Sequence, residues 1–213
     1  MTKWQDTFKT HDIESKNLIA KYDQYADEFD EHVKNELCEN GENIPVVITT
    51  KLFSQTVPYQ EHMKILDAGA GTGEQGVQLA KLGYENVEMT AFDPSVGMLD
   101  VAKQRHIYSE FVQGFLPNSG LPENHFDATI CVGTFFPGHA PAESLRELVK
   151  ITKKDGYIVY SIRKHFYDDL DSNFQAVEEE LTNEKKWKMI AKIEDEYLPT
   201  QNMKAYYFSF QVC

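Results

Sequence analysis

A glycine-rich stretch at residues 64–73, with the sequence KILDAGAGTG, constrains the fold of this chain more than any other feature. Its apolar start predicts a short buried strand over 63–66, and an aspartate and three glycines at alternate positions follow. A helical pattern then runs over residues 74–82. A strand, a glycine turn and a helix form the first half of a nucleotide-binding βαβ unit, so the stretch indicates an α/β fold.

The residue types in this turn suit close contact with a ligand. Glycine has no Cβ, so the backbone at Gly69, Gly71 and Gly73 can turn sharply and approach a bound molecule. The following helix presents free N–H groups to a polar group. Asp67, at the carboxyl end of the strand, can bind a cationic or hydroxylated group directly or through water. A tight turn without any ligand is the alternative explanation.

Two ligands compete for this turn. Residues 71–76, GTGEQG, satisfy the dinucleotide pattern G-x-G-x-x-G. The longer pattern D-x-G-x-G-x-G over residues 67–73 resembles motif I of the class I S-adenosylmethionine (SAM) methyltransferases. A carboxylate repels a pyrophosphate and attracts the ammonium group of SAM, which favours SAM over NAD. The resemblance implies that the motif contacts the cofactor through Asp67, Gly69, Ala70, Gly71, Thr72 and Gly73.

A second strand is predicted over residues 87–92, and Asp93 follows it, twenty residues after Gly73. An acid at this spacing accepts ribose hydroxyls in both NAD and SAM proteins. The run over 93–102 resembles the D-x-S-x-x-M-L-x-x-A segment of the methyltransferases, where the methionine or its neighbour packs on adenine. The resemblance implies cofactor contacts from Asp93, Pro94, Ser95 and Met98. Ordinary packing of a helix on the sheet is the other explanation for Met98.

The third strand is predicted over 110–114. The family usually continues with Gly-Asp, whose acid binds the adenine amino group, but here Phe115 follows Gly114. The resemblance therefore implies contacts at Gly114 and backbone contacts at Phe115 and Leu116 in place of that acid.

The fourth strand is predicted over 128–132, and the end of this strand is implied to reach the cofactor through Val132 and Gly133. His139 lies on the loop after this strand, where the family has its acceptor pocket. An imidazole has an unperturbed pKa near 6.5, so its neutral form can take a proton at pH 7. His139 is therefore our candidate general base, with a solvated loop histidine as the alternative.

The segment before the glycine turn has its own signature. Aromatic and aliphatic residues from Tyr22 to Leu37 recur at steps of three and four, which predicts a helix. Residues 22–30, YDQYADEFD, resemble the Y-D-x-W/Y-A-x-x-Y/F-D segment that forms a lid in many small-molecule methyltransferases. The resemblance implies that Tyr22 or Tyr25 lies near the cofactor, and core packing is the alternative.

The resemblance covers the chain from about Tyr22 and is closest to the methyltransferase-like group named for the Williams–Beuren syndrome chromosome region. It implies a Rossmann-like fold with a seven-stranded, mostly parallel sheet of order 3-2-1-4-5-7-6, whose strand seven is antiparallel, and an N-terminal helical lid. We expect a single domain over residues 1–213, with a lid segment over 1–57 and a SAM-binding core over 58–213.

The composition of the chain limits the kinds of binding partner that are expected. A formal net charge of −13 disfavours binding to nucleic acid, because phosphate-binding proteins usually have a basic face. Apolar runs of membrane-spanning length are absent from the sequence, so no membrane partner is expected. The three cysteines are far apart and read as free thiols in a reducing, cytoplasmic location. Cysteine and histidine clusters with zinc-site spacing are absent, so we expect no metal. A monomer or homodimer is expected.

The implied reaction is the in-line transfer of the SAM methyl group to an oxygen or nitrogen, which leaves S-adenosylhomocysteine (SAH). Strand four is followed neither by N-P-P-[YF] nor by Pro-Cys, which disfavours adenine-amino, amide and cytosine acceptors and leaves a small-molecule acceptor. Two other functions stay open at this point: a SAM- or SAH-binding protein without its own catalysis, such as a sensor or a partner-activating subunit, and an NAD oxidoreductase.

Overall fold

The computed structural model describes residues 15–36, 38–39 and 41–213 of the chain. A seven-stranded sheet has the order β3-β2-β1-β4-β5-β7-β6, in which β7 is antiparallel to both of its neighbours and the other pairs are parallel. This architecture confirms the Rossmann-like class and the order predicted above. The strands are β1 (Lys64–Ala68), β2 (Glu88–Asp93), β3 (Glu110–Gln113), β4 (Phe126–Phe135), β5 (Thr152–Arg163), β6 (Trp187–Leu198) and β7 (Met203–Val212).

Helices cover both faces of the sheet. Neighbouring residues of one strand point to opposite faces, and both Ile65 and Leu66 of β1 are fully buried. One apolar layer includes residues of α2, α3 and α4, and the other includes residues of α5 and α7. The helices are α1 (Ser15–Glu36), α2 (Ile44–Thr56), α3 (Glu74–Lys81), α4 (Val96–Lys103), α5 (Ser144–Ile151), α6 (Lys164–Tyr167) and α7 (Phe174–Asn183).

Short elements complete the described chain. The two-residue strands Cys38–Glu39 and Glu42–Asn43 pair with each other, and 3₁₀ turns cover Leu170–Ser172 and Pro199–Gln201. Strand β5 begins at Thr152, before the apolar run over residues 157–162. Asp155 has a φ of 64° and lies where the pairing with β4 shifts register, so residues 153–156 form an irregularity within the strand.

The N-terminal segment divides into two parts with different packing. Helix α2 belongs to the core, since Leu52 and Phe53 are almost completely buried beneath the sheet. Helix α1 instead packs across α4 at the edge of the domain. We infer that any lid movement is restricted to α1 and the short strands after it, and that α2 stays with the core. Residues 1–14 of the expected lid segment lie outside the described residues.

The contact between α1 and α4 depends on a glycine. A Cβ on Gly97 would lie 2.9 Å from both Cα and the carbonyl oxygen of Asp23, which is too close for any side chain. The absence of a side chain at Gly97 therefore lets the backbone of α1 lie directly on α4.

We expect Gly97→Val to detach α1 while the sheet stays folded, because the added carbons occupy the space of the Asp23 backbone. Hydrogen exchange should show faster amide exchange over residues 18–33, with the melting temperature of the core nearly unchanged. Asp100→Val, at an exposed position of the same helix, is the control. Equal exchange rates in parent and Gly97→Val would contradict this account of the contact.

Candidate functional site

A cavity of about 300 Å³ lies at the carboxyl ends of β1, β2, β4 and β5, with α1 forming one wall. Ligands of open α/β sheets bind at this edge, where the strand order reverses on either side of β1. Most residues predicted from the sequence line this cavity: Tyr22, Gly69, Ala70, Gly71, Thr72, Asp93, Pro94, Met98, Phe115, Leu116, Val132, Gly133 and His139.

The glycine turn is shaped by positive φ angles, which glycine adopts without strain. Gly69 has a φ of 78°, and a Cβ there would lie 2.1 Å from Oγ1 of Thr134. Gly71 has a φ of 53°, and a Cβ there would meet no atom of the described residues within 4 Å. Gly71 also lines the cavity, so its missing side chain leaves room for a ligand against the backbone.

Gly73 and Gly114 do not line the cavity and instead accommodate neighbouring rings. A Cβ on Gly73 would lie 2.8 Å from the Tyr108 ring, and one on Gly114 would lie 2.5 Å from the Phe92 ring. Both glycines support the site from behind.

Two other predicted residues also lie outside the cavity wall. Ser95 caps α4, because its hydroxyl accepts a hydrogen bond from the backbone N–H of Met98 at 3.1 Å and donates one to Asp23 at 2.6 Å. Tyr25 is half-buried elsewhere on α1, so of the two candidate tyrosines Tyr22 is the one that reaches the cavity.

Asp93 is buried at the end of β2 and holds two backbone segments together. Its carboxylate accepts hydrogen bonds from the N–H of Gly71 and the N–H of Ser95, both at 2.9 Å. Burial raises the pKa of Asp93 to about 6, although these N–H groups oppose the shift. A carboxylate offers about four lone-pair positions, so two acceptor positions remain for hydroxyl groups in the cavity.

Asp67 lies at the end of β1, fully buried and behind the cavity wall. One oxygen accepts a hydrogen bond of 2.6 Å from the hydroxyl of Tyr108, and that hydroxyl accepts one from the N–H of Gly76 at 3.2 Å. The other oxygen, Oδ1, has no hydrogen-bond partner among the described residues. Burial raises the pKa of Asp67 to about 7, so this carboxyl is poised between its charged and neutral forms at neutral pH.

These observations fit SAM. Asp67 places a carboxyl group directly behind the glycine turn, and its charged form attracts a positively charged group in the cavity. The open side of Gly71 provides space against the backbone, and Asp93 provides acceptors for ribose hydroxyls. Leu116, Met98 and Phe115 add apolar surface for a planar base.

Two aspartates in the motif over residues 22–30 connect helix α1 to the loops of this site. Asp23 Oδ1 accepts hydrogen bonds from the Ser95 hydroxyl and, at 2.9 Å, from the N–H of Gly97. Asp30 accepts a hydrogen bond from the Thr72 hydroxyl and forms an ion pair with Arg105. The sequence pattern contained these acids, but an exposed acid on a helix gives no sign of its partner.

His139 lies on the cavity wall with both ring nitrogens engaged. Its Nδ1 is 3.2 Å from the carbonyl oxygen of Pro137, which can only accept, so Nδ1 carries the proton. Nε2 therefore accepts a hydrogen bond of 2.9 Å from the Tyr22 hydroxyl. Burial, together with a smaller effect of the Arg163 cation, lowers the pKa of His139 to about 4, although the hydrogen bond to Pro137 opposes the shift. The ring is neutral at pH 7, as expected, but it is a weaker base than a free imidazole.

Further cavity residues were not singled out from the sequence. Arg163 ends β5, and Tyr197 comes from β6, the edge strand beyond β7. Glu74 lines the cavity at the start of α3 and accepts a hydrogen bond of 2.7 Å from the Asn43 amide. Tertiary packing brings these residues to the site from distant segments, and no local pattern marks them.

Comparison with known proteins finds a family that is similar to the middle part of this chain. Residues 65–156 match the family described as a methyltransferase domain. The matched segment runs from β1 into β5 and makes up less than half of the chain.

Individual relatives with similar sequences are named as methyltransferases. Demethylmenaquinone methyltransferase of Paenarthrobacter aurescens is 33% identical over 102 residues, which are 48% of this chain and 39% of that protein. Methyltransferase-like protein 27 of Homo sapiens is 28% identical over 145 residues, which are 67% of this chain and 56% of that protein. The chain spans about half the length of the curated relatives it matches.

A solved structure shares the fold. The TehB-like SAM-dependent methyltransferase of Corynebacterium glutamicum superposes with a TM-score of 0.65 at 22% identity and covers 91% of this chain and 99% of its own.

The described residues include neither a membrane-spanning helix nor a metal-binding cluster. None of the helices there is long and apolar enough to cross a membrane. Histidine, cysteine and acidic side chains in the same part of the chain form no group that could hold a metal ion.

We expect Asp67 to make the free energy of unfolding depend on pH. Its pKa is about 7 in the folded chain, against an ordinary value of 3.8. The folded state therefore keeps a proton that the unfolded chain loses, and stability falls as pH rises from about 4 to 7. Asp67→Asn should remove about 1–4 kcal/mol of this pH dependence in urea unfolding at pH 5 and 8. Asp100→Asn is the exposed control, and an unaltered slope in Asp67→Asn would contradict the assignment.

Proposed function

We propose that this chain is a SAM-dependent methyltransferase that methylates an oxygen or nitrogen of a small-molecule acceptor. One observation carries the proposal: Gly71, with open space beside it, and the buried acceptor Asp93 meet in a single cavity at the carboxyl edge of the sheet. The assignment to the Williams–Beuren group, a cytoplasmic location and a monomeric or homodimeric state belong to this proposal. The human relative and the free thiols of the described cysteines support the first two.

The chain's contribution to the reaction is mainly to bind, align and exclude water. When bound, SAM supplies a methyl group on a positively charged sulfur, which an acceptor atom displaces in line. The hydrogen bonds of Asp93 to Gly71 and Ser95 fix the cofactor loops before any ligand arrives. Helix α1 covers the cavity with Tyr22 and Phe29 and limits access of water to it. Alignment of two reactants in such a site can supply most of the rate enhancement.

A proton on the acceptor has a route to His139. The Tyr22 hydroxyl lines the cavity and already donates to Nε2 of His139, so it can pass its proton to the ring while its oxygen takes one from the acceptor. The low pKa of His139, about 4, limits the driving force of this transfer. We therefore assign His139 a supporting role as the group that receives the proton, and Tyr22 passes this proton on from the methyl acceptor.

A SAM- or SAH-binding protein without its own catalysis is the rival function. Phe115 in place of the family's acid leaves one usual cofactor contact absent, and the weak basicity of His139 offers no strong catalyst. Acceptor methylation decides between the two functions.

The test has two stages. Titration calorimetry with SAM, SAH and NAD should show binding of SAM and SAH only. Asp93→Ala should lower the affinity for SAH about 10- to 100-fold, because the ribose hydroxyls lose a charged acceptor. Asp100→Ala should bind like the parent. Incubation with methyl-labelled SAM and a panel of small hydroxylated, amino and acidic compounds should then yield a labelled product. Binding of NAD in place of SAH would overturn the proposal, and SAH binding without any labelled product would favour the rival.

We expect His139→Ala to lower the single-turnover rate roughly tenfold. This loss is smaller than that expected for a base whose pKa matches the working pH, because the pKa of His139 lies far below it. Tyr22→Phe should lower the rate similarly, since it removes the hydroxyl between ring and acceptor. SAM affinity should stay nearly unchanged in His139→Ala. His165→Ala, an exposed histidine outside the cavity, is the control. Parental rates in both variants would show that alignment alone carries the chemistry.

A further inference from the structure

Arg163 carries a positive charge into the cavity, and the proposed chemistry gives this residue no role. It is the last residue of β5 and the only lysine or arginine among the described residues that line the cavity. The carboxyl end of β5 also bears Ile162, which is buried in the core, so the side chain of Arg163 extends from a rigid strand.

The surroundings of Arg163 hold the guanidinium group without neutralising it. The group lies 5.1 Å from the centre of the Phe136 ring and 5.0 Å from that of Tyr197. Its Nε is buried and has no hydrogen-bond partner, and no carboxylate of the described residues forms an ion pair with it. A buried donor and an unpaired charge are both costly, so such a group in a cavity indicates a ligand that supplies the acceptor.

The position of Arg163 places it far from Asp93, the residue proposed to bind the ribose of the cofactor. The proposed cofactor contacts follow β1, β2 and β4, with Asp93 at the end of β2. Neighbouring strands lie about 4.8 Å apart, so the end of β5 is about 14 Å from the end of β2, across β1 and β4. Arg163, Phe136 and Tyr197 therefore surround the end of the cavity that is left for the acceptor.

We propose that Arg163 binds a carboxylate of the methyl acceptor and that Phe136 and Tyr197 contact the apolar part of the same molecule. The inference rests on the proposed function, because it assigns the acceptor end of that site. A carboxylate matches the planar fork of N–H donors of arginine and balances its single charge. A phosphate dianion would leave one negative charge uncompensated, since the cavity offers no second cation among the described residues.

The test measures binding of defined probes to the full chain, with and without saturating SAH. The probes are benzoate and hexanoate, their neutral amides benzamide and hexanamide, and phenyl phosphate. We expect at least one carboxylate to bind about 10- to 100-fold more tightly than its amide in titration calorimetry. Arg163→Gln and Arg163→Met should abolish this preference while SAH affinity and melting temperature stay close to the parent's. Arg146→Gln, which removes an arginine outside the cavity, should keep the preference.

Each remaining outcome contradicts the proposal in a different way. Equal binding of acids and amides, or a preference that survives in both Arg163 variants, removes Arg163 from acceptor binding. A tenfold loss of SAH affinity in the Arg163 variants makes Arg163 a cofactor residue. Tighter, Arg163-dependent binding of phenyl phosphate overturns the choice of a carboxylate. Failure of SAH to bind the parent chain overturns the proposed function instead, and the probes measured without SAH still decide the part of Arg163.

Discussion

Two buried carboxylates at the ends of neighbouring strands determine the shape of the ligand site. Asp93 holds the N–H groups of Gly71 and Ser95, and Asp67 accepts from Tyr108, which in turn accepts from Gly76. The turn after β1 and the loop after β2 are thereby fixed from within the core. Burial of two acids in a chain with a net charge of −13 is unfavourable, as their raised pKa values show. A ligand that brings a positive charge and hydroxyl groups relieves this cost, so the same residues that destabilise the empty domain favour binding.

Much of the fold followed from the sequence because a parallel sheet leaves a strong local signal. Strands such as β1 are buried on both faces and read as short apolar runs between turn residues. The order of the sheet came from the resemblance, since no periodicity specifies which strands are neighbours. Strand boundaries leave a weaker signal: residues around Asp155 have the composition of a turn yet lie within β5, where one residue with positive φ interrupts the pairing without ending the strand.

Predicted site residues line the cavity where one segment supplies both the backbone and the side chain, as at Gly71 and Asp93. Other predicted residues lie outside the cavity wall because their residue type serves a second purpose. Gly73 and Gly114 fit the cofactor pattern, yet each is small to accommodate an aromatic ring from another segment. Arg163 and Tyr197 were not found, because a polar residue at a strand end is ordinary in sequence and acquires meaning only from what packs around it.

Helix α1 meets the core at loops that follow three different strands. Tyr22 reaches the loop after β4, Asp23 the loop after β2 and Asp30 the turn after β1. A molecule that enters or leaves the cavity beneath it therefore competes with these contacts together, and the measured affinity includes the work of separating them. The residence time and affinity of the bound molecule then depend on the intrinsic helix propensity of α1. Residues on the outer face of α1 contribute to this propensity although they touch no ligand. Substitutions on that face can therefore change how tightly and how long a molecule is held, while the residues that line the cavity stay the same.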